Sequence, residues 1–299
     1  MGYVGAVCVD FREALTMVEN QIPLGNVGHL VQIPRAALKK ILRAKPVIVT
    51  VYTLEKAREI SAVCTELGLH QKLMLRVLGE GDMLYSGQYG GFELQELDSA
   101  VRAIEAMPNV EVGGVCSFPC FLYDEAAQDI LPMPNLRTVQ TAAEMLRARG
   151  YRDLMLNTPS ATCTHSIPMI AAAGGTHGEP GHGLTGTTPY HAGHPDAEER
   201  PGYLYVSEVS HNLGDKAYCY GGGHYRRGHM KNALVGTTPE NAKVVPVLPP
   251  DDSSIDYHFE LQQNCPVSAA AVMAFRTQFF VTRSRVAVVK GLSSGTVSY

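Results

Sequence analysis

Thr176-His177-Gly178-Glu179-Pro180-Gly181-His182-Gly183-Leu184-Thr185-Gly186-Thr187 packs four glycines and three titratable side chains into twelve residues, directly after a short apolar segment. Glycine lets the backbone approach a ligand closely, and a glycine turn that opens a helix presents unpaired N–H groups to an anion. The stretch therefore reads either as an anion site, with phosphate the expected occupant, or as an ordinary strand-end turn. The preceding half of the chain decides what kind of fold carries it.

That half repeats one theme, an apolar β-branched run followed by an amphipathic segment. Strands are expected at 3–9, 27–33, 46–52, 73–78, 110–115 and 154–156, with a seventh near residue 177. Asp10-Phe11-Arg12-Glu13 has the form of a capping box opening the first helix. Further helices are expected over 36–42, 54–67, 94–104, 136–146 and 166–173, and residues 79–91 form a glycine-rich loop long enough to be functional. Continuous apolar strands alternating with helices imply a parallel sheet covered on both faces, and this many units favour a barrel, with chemistry at the carboxyl ends of its strands. Closure takes eight strands, so either one has escaped detection or the chain begins at what should be the second.

After Thr187 the pattern changes. Residues 190–202 are polar and read as a linker or surface loop, and beyond them short strand-like runs at 203–209, 244–248, 269–275, 279–282 and 286–289 indicate a β-rich domain. The expected organisation is α/β: a (β/α)8-type TIM barrel lacking its first strand over 1–187, then a β domain over 188–299. Within the second part, Tyr218-Cys219-Tyr220-Gly221-Gly222-Gly223-His224-Tyr225-Arg226-Arg227-Gly228-His229 stands out, because three consecutive glycines are costly to order unless something uses them.

Composition narrows the function classes. A formal net charge of -4 supplies no field for nucleic acid or an anionic membrane surface. No apolar run approaches the ~18 residues of a membrane span, and the first residues lack the basic start of a signal peptide, so a cytoplasmic protein is expected. Seven cysteines spread over 299 residues do not form a disulfide framework, and the Cys116/Cys120 pair lacks a second pair to complete a zinc site. Eight of the eleven histidines fall between His165 and His229, which keeps a metal-assisted reaction open as an alternative. His191 and His194 lie in the presumed linker without a matched carboxylate and read as solvated.

Five segments together carry a resemblance that spans nearly the whole chain: Gly28-His29-Leu30-Val31-Gln32-Ile33-Pro34, Pro159-Ser160-Ala161-Thr162, Glu179-Pro180-Gly181-His182, Cys219-Tyr220-Gly221-Gly222-Gly223 with Tyr225-Arg226-Arg227-Gly228-His229, and Asp251-Asp252-Ser253-Ser254-Ile255-Asp256-Tyr257. In these the chain resembles the fold-type III pyridoxal-phosphate enzymes, and among them the alanine-racemase-like YhfX family. The resemblance implies pyridoxal 5'-phosphate as cofactor, an amino acid as substrate, chemistry at its α-carbon as a racemase-like isomerase or lyase, and a homodimer. It implies that Glu179 faces the pyridine nitrogen and that Gly181, His182 and Gly183 lie by the phosphate, His182 standing where the related decarboxylases carry Arg. Ser160, Ala161 and Thr162 would add hydroxyl and backbone donors to that phosphate, or simply cap the next helix. Arg76 resembles an arginine that relatives place near the cofactor; a one-residue register shift would instead put it on the surface. Cys219, Tyr220 and Tyr225 would be acid-base groups delivered from the β domain across a dimer interface. D-threonine-aldolase relatives add a divalent metal, so a metal-assisted D-amino-acid lyase or aldolase is one alternative and a non-catalytic phosphate or cofactor binder another.

One expected part is missing from the pattern. Relatives hold the cofactor as an imine on a lysine ending the first barrel strand. The lysines here, at 39, 40, 45, 56, 72, 216, 231, 243 and 290, follow no such strand. A truncated gene product is the favoured explanation, and a shortened protein that has lost imine chemistry is the other.

Overall fold

The computed structural model describes residues 2–225, 228–251, 253–276, 283–296 and 298. The chain divides into two compact units, Met1–Gly183 and Leu184–Tyr299. The strand expected at 279–282, Arg226, Arg227 and Asp252 lie outside the described residues.

The first unit alternates strand and helix: β1 (Ala6–Cys8), α1 (Phe11–Glu19), β2 (Leu24–Val27), α2 (Arg35–Arg43), β3 (Ile48–Val51), α3 (Leu54–Leu67), β4 (Gln71–Leu78), the two-residue β5 (Phe92–Glu93), α4 (Leu97–Glu105) and β6 (Val110–Cys116). A hairpin of β7 (Phe121–Asp124) and β8 (Asp129–Pro132) precedes α5 (Pro134–Ala148), β9 (Met155–Asn157) and α6 (Ile167–Ala172). The strands pair in the order β1-β2-β3-β4-β6-β9, all parallel, with β5 on β4 and a parallel bridge from Asn157 to His177 beyond β9. This is the TIM-like parallel sheet expected of the α/β half.

Its elements follow from local rules. Asp10 accepts hydrogen bonds from the Arg12 and Glu13 N–H groups at 2.7 and 3.0 Å, satisfying two orphan donors of α1, while Glu13 turns back to the Val9 N–H at 2.8 Å. In α2 the buried residues are Ala37, Leu38, Ile41 and Leu42, the i, i+1, i+4, i+5 stripe of a helix lying on a sheet. All four residues of β3 are buried, as a strand covered on both faces requires.

Several features depart from the sequence pattern. The second strand ends at Val27, and residues 28–33 are loop: Gly28 takes φ +93, a Cβ there would sit 2.7 Å from the Thr50 carbonyl oxygen, and the Gln32 amide donates to the Gly28 and Thr50 carbonyls, both at 2.9 Å. The apolar run Leu30–Ile33 thus packs a loop, a case that periodicity does not separate from a strand. The β7–β8 hairpin went unforeseen because its strands are short and charged at the turn. Part of the presumed linker is helical, α7 (Pro189–Gly193), started by Thr188, whose hydroxyl accepts from the His191 N–H.

The second unit closes into a six-stranded antiparallel barrel, β10 (Tyr205–Leu213), β11 (Lys216–Tyr220), β12 (Asn232–Gly236), β13 (Lys243–Leu248), β14 (His258–Leu261) and β15 (Ala270–Met273), ordered β10-β11-β14-β13-β12-β15. Residues 286–289, expected as a strand, form no ladder, and Val286 and Val288 are exposed. Inward residues alternate with outward ones: Ala217 and Cys219 join Val209, Phe259 and Leu261 in the barrel core, while Tyr220 faces out. Phe259 is completely buried at its centre. Phe259→Ala is expected to destabilise this barrel by about 3–5 kcal/mol through lost burial and a residual cavity, measured by denaturant unfolding.

Candidate active site at the barrel mouth

Polar side chains inside a parallel sheet are expensive unless bonded, so where they occur is informative. Asn26 on β2, Thr50 on β3 and Asn157 on β9 are all buried, each at or near the carboxyl end of an otherwise apolar strand. They converge on one carboxylate. Glu179 Oε1 accepts from Asn157 Nδ2 at 2.8 Å and Asn26 Nδ2 at 3.4 Å, and the Thr50 hydroxyl donates to Asn26 Oδ1 at 2.8 Å. The Glu179 side chain is only 7% exposed. His177 Nε2 stands 3.5 Å from the same oxygen, near enough to act through charge although the pair makes no well-aligned hydrogen bond.

Burial alone pushes the Glu179 carboxyl up; the His177 side chain, the attraction of His29 and the Asn157 hydrogen bond outweigh it and hold the group below its ordinary value. Glu179 is therefore a buried carboxylate kept ionised. His29, 4% exposed on the loop after β2, is also held below its ordinary value: burial lowers it, Glu179 opposes that, and Arg76 and His177 reinforce it. Its ring is held edge-on by Phe118, centroids 5.5 Å apart. Burial pushes the neighbouring Cys116 thiol up to about 12, with Arg76 opposing and Glu179 adding to the rise, so it stays protonated.

Arg76 is completely buried, so the surface register considered for it does not occur. Nη1 donates to the Tyr52 hydroxyl at 2.8 Å, the Tyr52 hydroxyl donates to the His29 carbonyl at 2.6 Å, and Nη2 donates to the Gln88 carbonyl at 2.9 Å. This last bond ties down the 79–91 loop, whose other anchors are Asp82, accepting from the Thr138 hydroxyl at 2.8 Å, and Asn135, bonded to both Met83 backbone groups.

The remaining first-unit candidates gather beside this cluster. Ser160 and Ala161 adopt φ +98 and +51, a left-handed backbone pair that costs energy for residues with side chains and marks a turn held for a purpose. Gly183 packs so closely on this turn that a Cβ would fall 2.2 Å from the Thr162 carbonyl oxygen, so the glycine stretch and the 159–162 segment are brought together. Gly181 is exposed with open space around it, and half-buried His182 begins a short 3-10 turn.

Several buried polar atoms here have no hydrogen-bond partner among the described residues: both ring nitrogens of His29, Arg76 Nε, Asn157 Oδ1, the Thr158 and Thr162 hydroxyls and His177 Nε2. Such a concentration of unsatisfied groups is what a ligand site leaves behind when its ligand is not counted. It fits the group that the resemblance implies in two respects: an ionised carboxylate suits a protonated pyridine nitrogen, and the Thr158 and Thr162 hydroxyls beside a strained turn suit a phosphate. It does not supply the imine. Lys39 and Lys40 pair with Glu66 and Glu19, Lys56 donates to the Ile33 carbonyl, Lys72 lies by Glu111, and Lys45 is exposed after α2.

In the second unit the three-glycine loop has a structural anchor. The Asp256 carboxylate accepts from the Gly222 and His224 N–H groups at 3.0 and 2.8 Å and from Arg283 at 3.0 Å. Tyr220 is 52% exposed and Tyr225 half-buried, while the Cys219 thiol is enclosed in the barrel core, where burial raises it. His191 is not solvated as expected: its side chain is 5% exposed and its Nε2 lies 3.1 Å from Glu199, and His194 stacks on Tyr190. Sequence reading missed Asn26, Tyr52, Asn157 and Thr158 and gave His177 no role; for Asn26 and Asn157 the available signal was a polar residue in an otherwise apolar strand.

Comparison with known proteins follows the same division. The family model for the alanine racemase N-terminal domain matches residues 1–189, and that for the YhfX-like C-terminal domain matches 204–298. The protein YhfX of Escherichia coli (strain K12) is 45% identical over 297 residues, 99% of this chain and 76% of its own length. Among solved structures, D-threo-3-hydroxyaspartate dehydratase from Delftia sp. HT23 aligns with TM-score 0.65 and 14% identity over 94% of this chain and 79% of its own. D-threonine aldolase from Filomicrobium marinum gives 0.62 and 17% over 91% and 73%, and an alanine racemase from Clostridium difficile 630 in complex with cycloserine gives 0.60 and 16% over 92% and 72%. At these identities the structures speak to the fold.

The downward shifts of Glu179 and His29 make stability pH-dependent with a defined sign. Both groups bind protons more weakly folded than unfolded, so each adds stability above its ordinary value, 6.5 for His29 and 4.5 for Glu179, that is lost as pH falls through the folded value. Unfolding free energy is expected to decline below pH 6.5, and His29→Gln should flatten the first part of that decline in a denaturant series at several pH values.

Proposed function

Since the chain belongs to the YhfX type of the alanine-racemase-like family, we propose that it is a pyridoxal 5'-phosphate enzyme acting at the α-carbon of an amino acid, as a racemase-like isomerase or a lyase. The observation that carries this is the buried, ionised Glu179 carboxylate at the carboxyl end of a parallel sheet, held by Asn26 and Asn157. Bound there, the cofactor supplies an electron sink for the carbon whose bond is broken. Glu179 would keep the pyridine nitrogen protonated, and Arg76 would present its unpartnered Nε to an anionic oxygen. Thr158 and Thr162, with the Ser160–Ala161 turn, Gly181, His182 and Gly183, would hold the phosphate. Closure of the site by the 79–91 loop, pinned through Gln88, would exclude water and strengthen each of these interactions.

From the second unit, Tyr220 and Tyr225 are the acid-base candidates, because Cys219 is turned into the barrel core and the tyrosines are not. In a homodimer they would serve the partner's barrel, which the exposure of Tyr220 supports. The metal-assisted alternative draws no support from the side chains: among the described residues no three His, Cys, Asp or Glu converge on a common point. No helix among the described residues is long and apolar enough to cross a membrane.

Pyridoxal 5'-phosphate is expected to bind saturably but reversibly, and borohydride treatment should leave no cofactor covalently attached to any lysine of this chain, as read by intact-protein mass spectrometry. A borohydride-fixed adduct would contradict the lysine placements. Glu179→Gln should lower α-hydrogen exchange of an added amino acid by about 100-fold while the protein still binds the cofactor, measured by deuterium incorporation across a panel of D- and L-amino acids. Binding without exchange on any member would favour a non-catalytic role.

A further inference from the structure

We infer that His29 is a second proton-transfer residue of the barrel site, directed at the α-carbon of the bound amino acid. The inference rests on the reading of this site as one for pyridoxal 5'-phosphate chemistry.

Three observations converge on it. First, the ring is 4% exposed, and neither nitrogen has a partner among the described residues. A neutral imidazole always carries one N–H and one lone pair, so both a donor and an acceptor are left unmade in a dry site. Each costs about 1–3 kcal/mol, a penalty that a bound ligand removes. Second, the residue is fixed at both ends. Its carbonyl is gripped by the Tyr52 hydroxyl, itself gripped by Arg76, and its ring is set edge-on against Phe118, which in turn packs on Tyr85 of the 79–91 loop, centroids 5.6 Å apart. A side chain needed only to fill space would not require this alignment, whereas proton transfer to a stated atom does. Third, it lies on the loop leaving β2, at the carboxyl edge of the sheet where Asn26 also reaches Glu179.

The charged and titratable groups that bear on it come from every side of the site. Glu179 favours the imidazolium; Arg76 on β4 and His177 beyond β9 oppose it, and burial opposes it most. Tyr52 meets its backbone rather than its ring. Burial thus holds the ring below its ordinary value, which favours the form with a lone pair available as a base. In the step assigned to it, one C–H bond at the substrate α-carbon breaks and one N–H bond forms on the imidazole. The electron pair would be left on the substrate, for which the cofactor, joined to the substrate through its amine with loss of water, would supply the electron sink, and the reverse step would return the proton. Glu179 stabilises the positive charge that the ring then acquires.

The test begins without any variant. Ring nitrogen-15 NMR of the whole chain, titrated first with pyridoxal 5'-phosphate and then with amino acids, is expected to show the His29 signals moving with saturation, while exposed His211 and His258 stay put. His29→Gln keeps hydrogen-bonding capacity and removes titration. It should bind the cofactor as the unaltered chain does, yet exchange the substrate α-hydrogen about 100-fold more slowly and lose the acid limb of the pH profile. If the cofactor binds and the His29 signals do not move, or if the glutamine variant keeps the full rate and the acid limb, the inference is overturned while the proposed function stands. If the unaltered chain shows no saturable cofactor binding, the proposed function fails and this inference with it.

Discussion

The first unit is built around a buried carboxylate that only a curled parallel sheet can hold. Glu179 is bonded to Asn26 on β2 and Asn157 on β9, strands separated by β3, β4 and β6 in the sheet order. In a flat sheet with strands about 4.8 Å apart, those two could not share an oxygen. The bonds exist because the sheet bends toward closure, and in return the ion holds the two sides of the bend together. An isolated carboxylate at this depth would protonate. It remains ionised because two amides and two histidines surround it, an arrangement that costs strand interior positions otherwise open to Val or Leu.

Arg76 extends this constraint outward. A fully buried guanidinium without a carboxylate partner among the described residues is unfavourable unless neutral acceptors and an aromatic face share the load, and here the Tyr52 hydroxyl, the Gln88 carbonyl and the Tyr52 ring, 4.9 Å away, do so. The same three contacts connect the interior of β4 to the 79–91 loop and to the backbone of His29. Arg76 is therefore one of the side chains on which both the loop and the His29 backbone rest. Three hydrogen bonds, Tyr52 to the His29 carbonyl, Arg76 to Tyr52 and Arg76 to the Gln88 carbonyl, join the barrel mouth to that loop.

Much of this arrangement could be read from residue patterns, and the parts that could not have identifiable causes. The fully buried strands were evident because a run such as Ile48–Val51 has no amphipathic alternative, and Glu179 was singled out because the resemblance in Glu179-Pro180-Gly181-His182 implies a carboxylate facing a pyridine nitrogen. The segment 28–33 misled because its apolar residues pack a loop whose turn depends on one glycine and on a glutamine side chain bonded eighteen residues away. Asn26, Asn157 and His29 acquire meaning only when strands distant in sequence curl to face one another, information that no local window contains. In the β unit, Cys219 and Tyr220 fall on opposite faces of one strand, a separation the sequence did not reveal because three strands, Lys216–Tyr220, Asn232–Gly236 and His258–Leu261, are too short and too polar to announce themselves.

The distribution of unsatisfied groups bears on what selection has maintained. Buried donors and acceptors without partners are a stability cost, and a chain free to drift would replace them with apolar residues of similar volume. In this unit they are concentrated at His29, Arg76, Asn157, Thr158, Thr162 and His177, at the carboxyl ends of strands or directly beyond them. The opposite, amino-terminal edge of the sheet shows the usual economy: the buried Gln71 there donates to the Pro46 and Lys72 carbonyls at 3.1 and 3.0 Å. Among the described residues, the carboxyl end of the sheet thus holds most of the unpartnered buried polar groups of the first unit, with others at Gln88 and, in the second unit, at His224. Fold similarity at 14–17% identity says nothing about which end that should be. The side chains do, and their placement agrees with the small-molecule site proposed at the carboxyl ends of the strands.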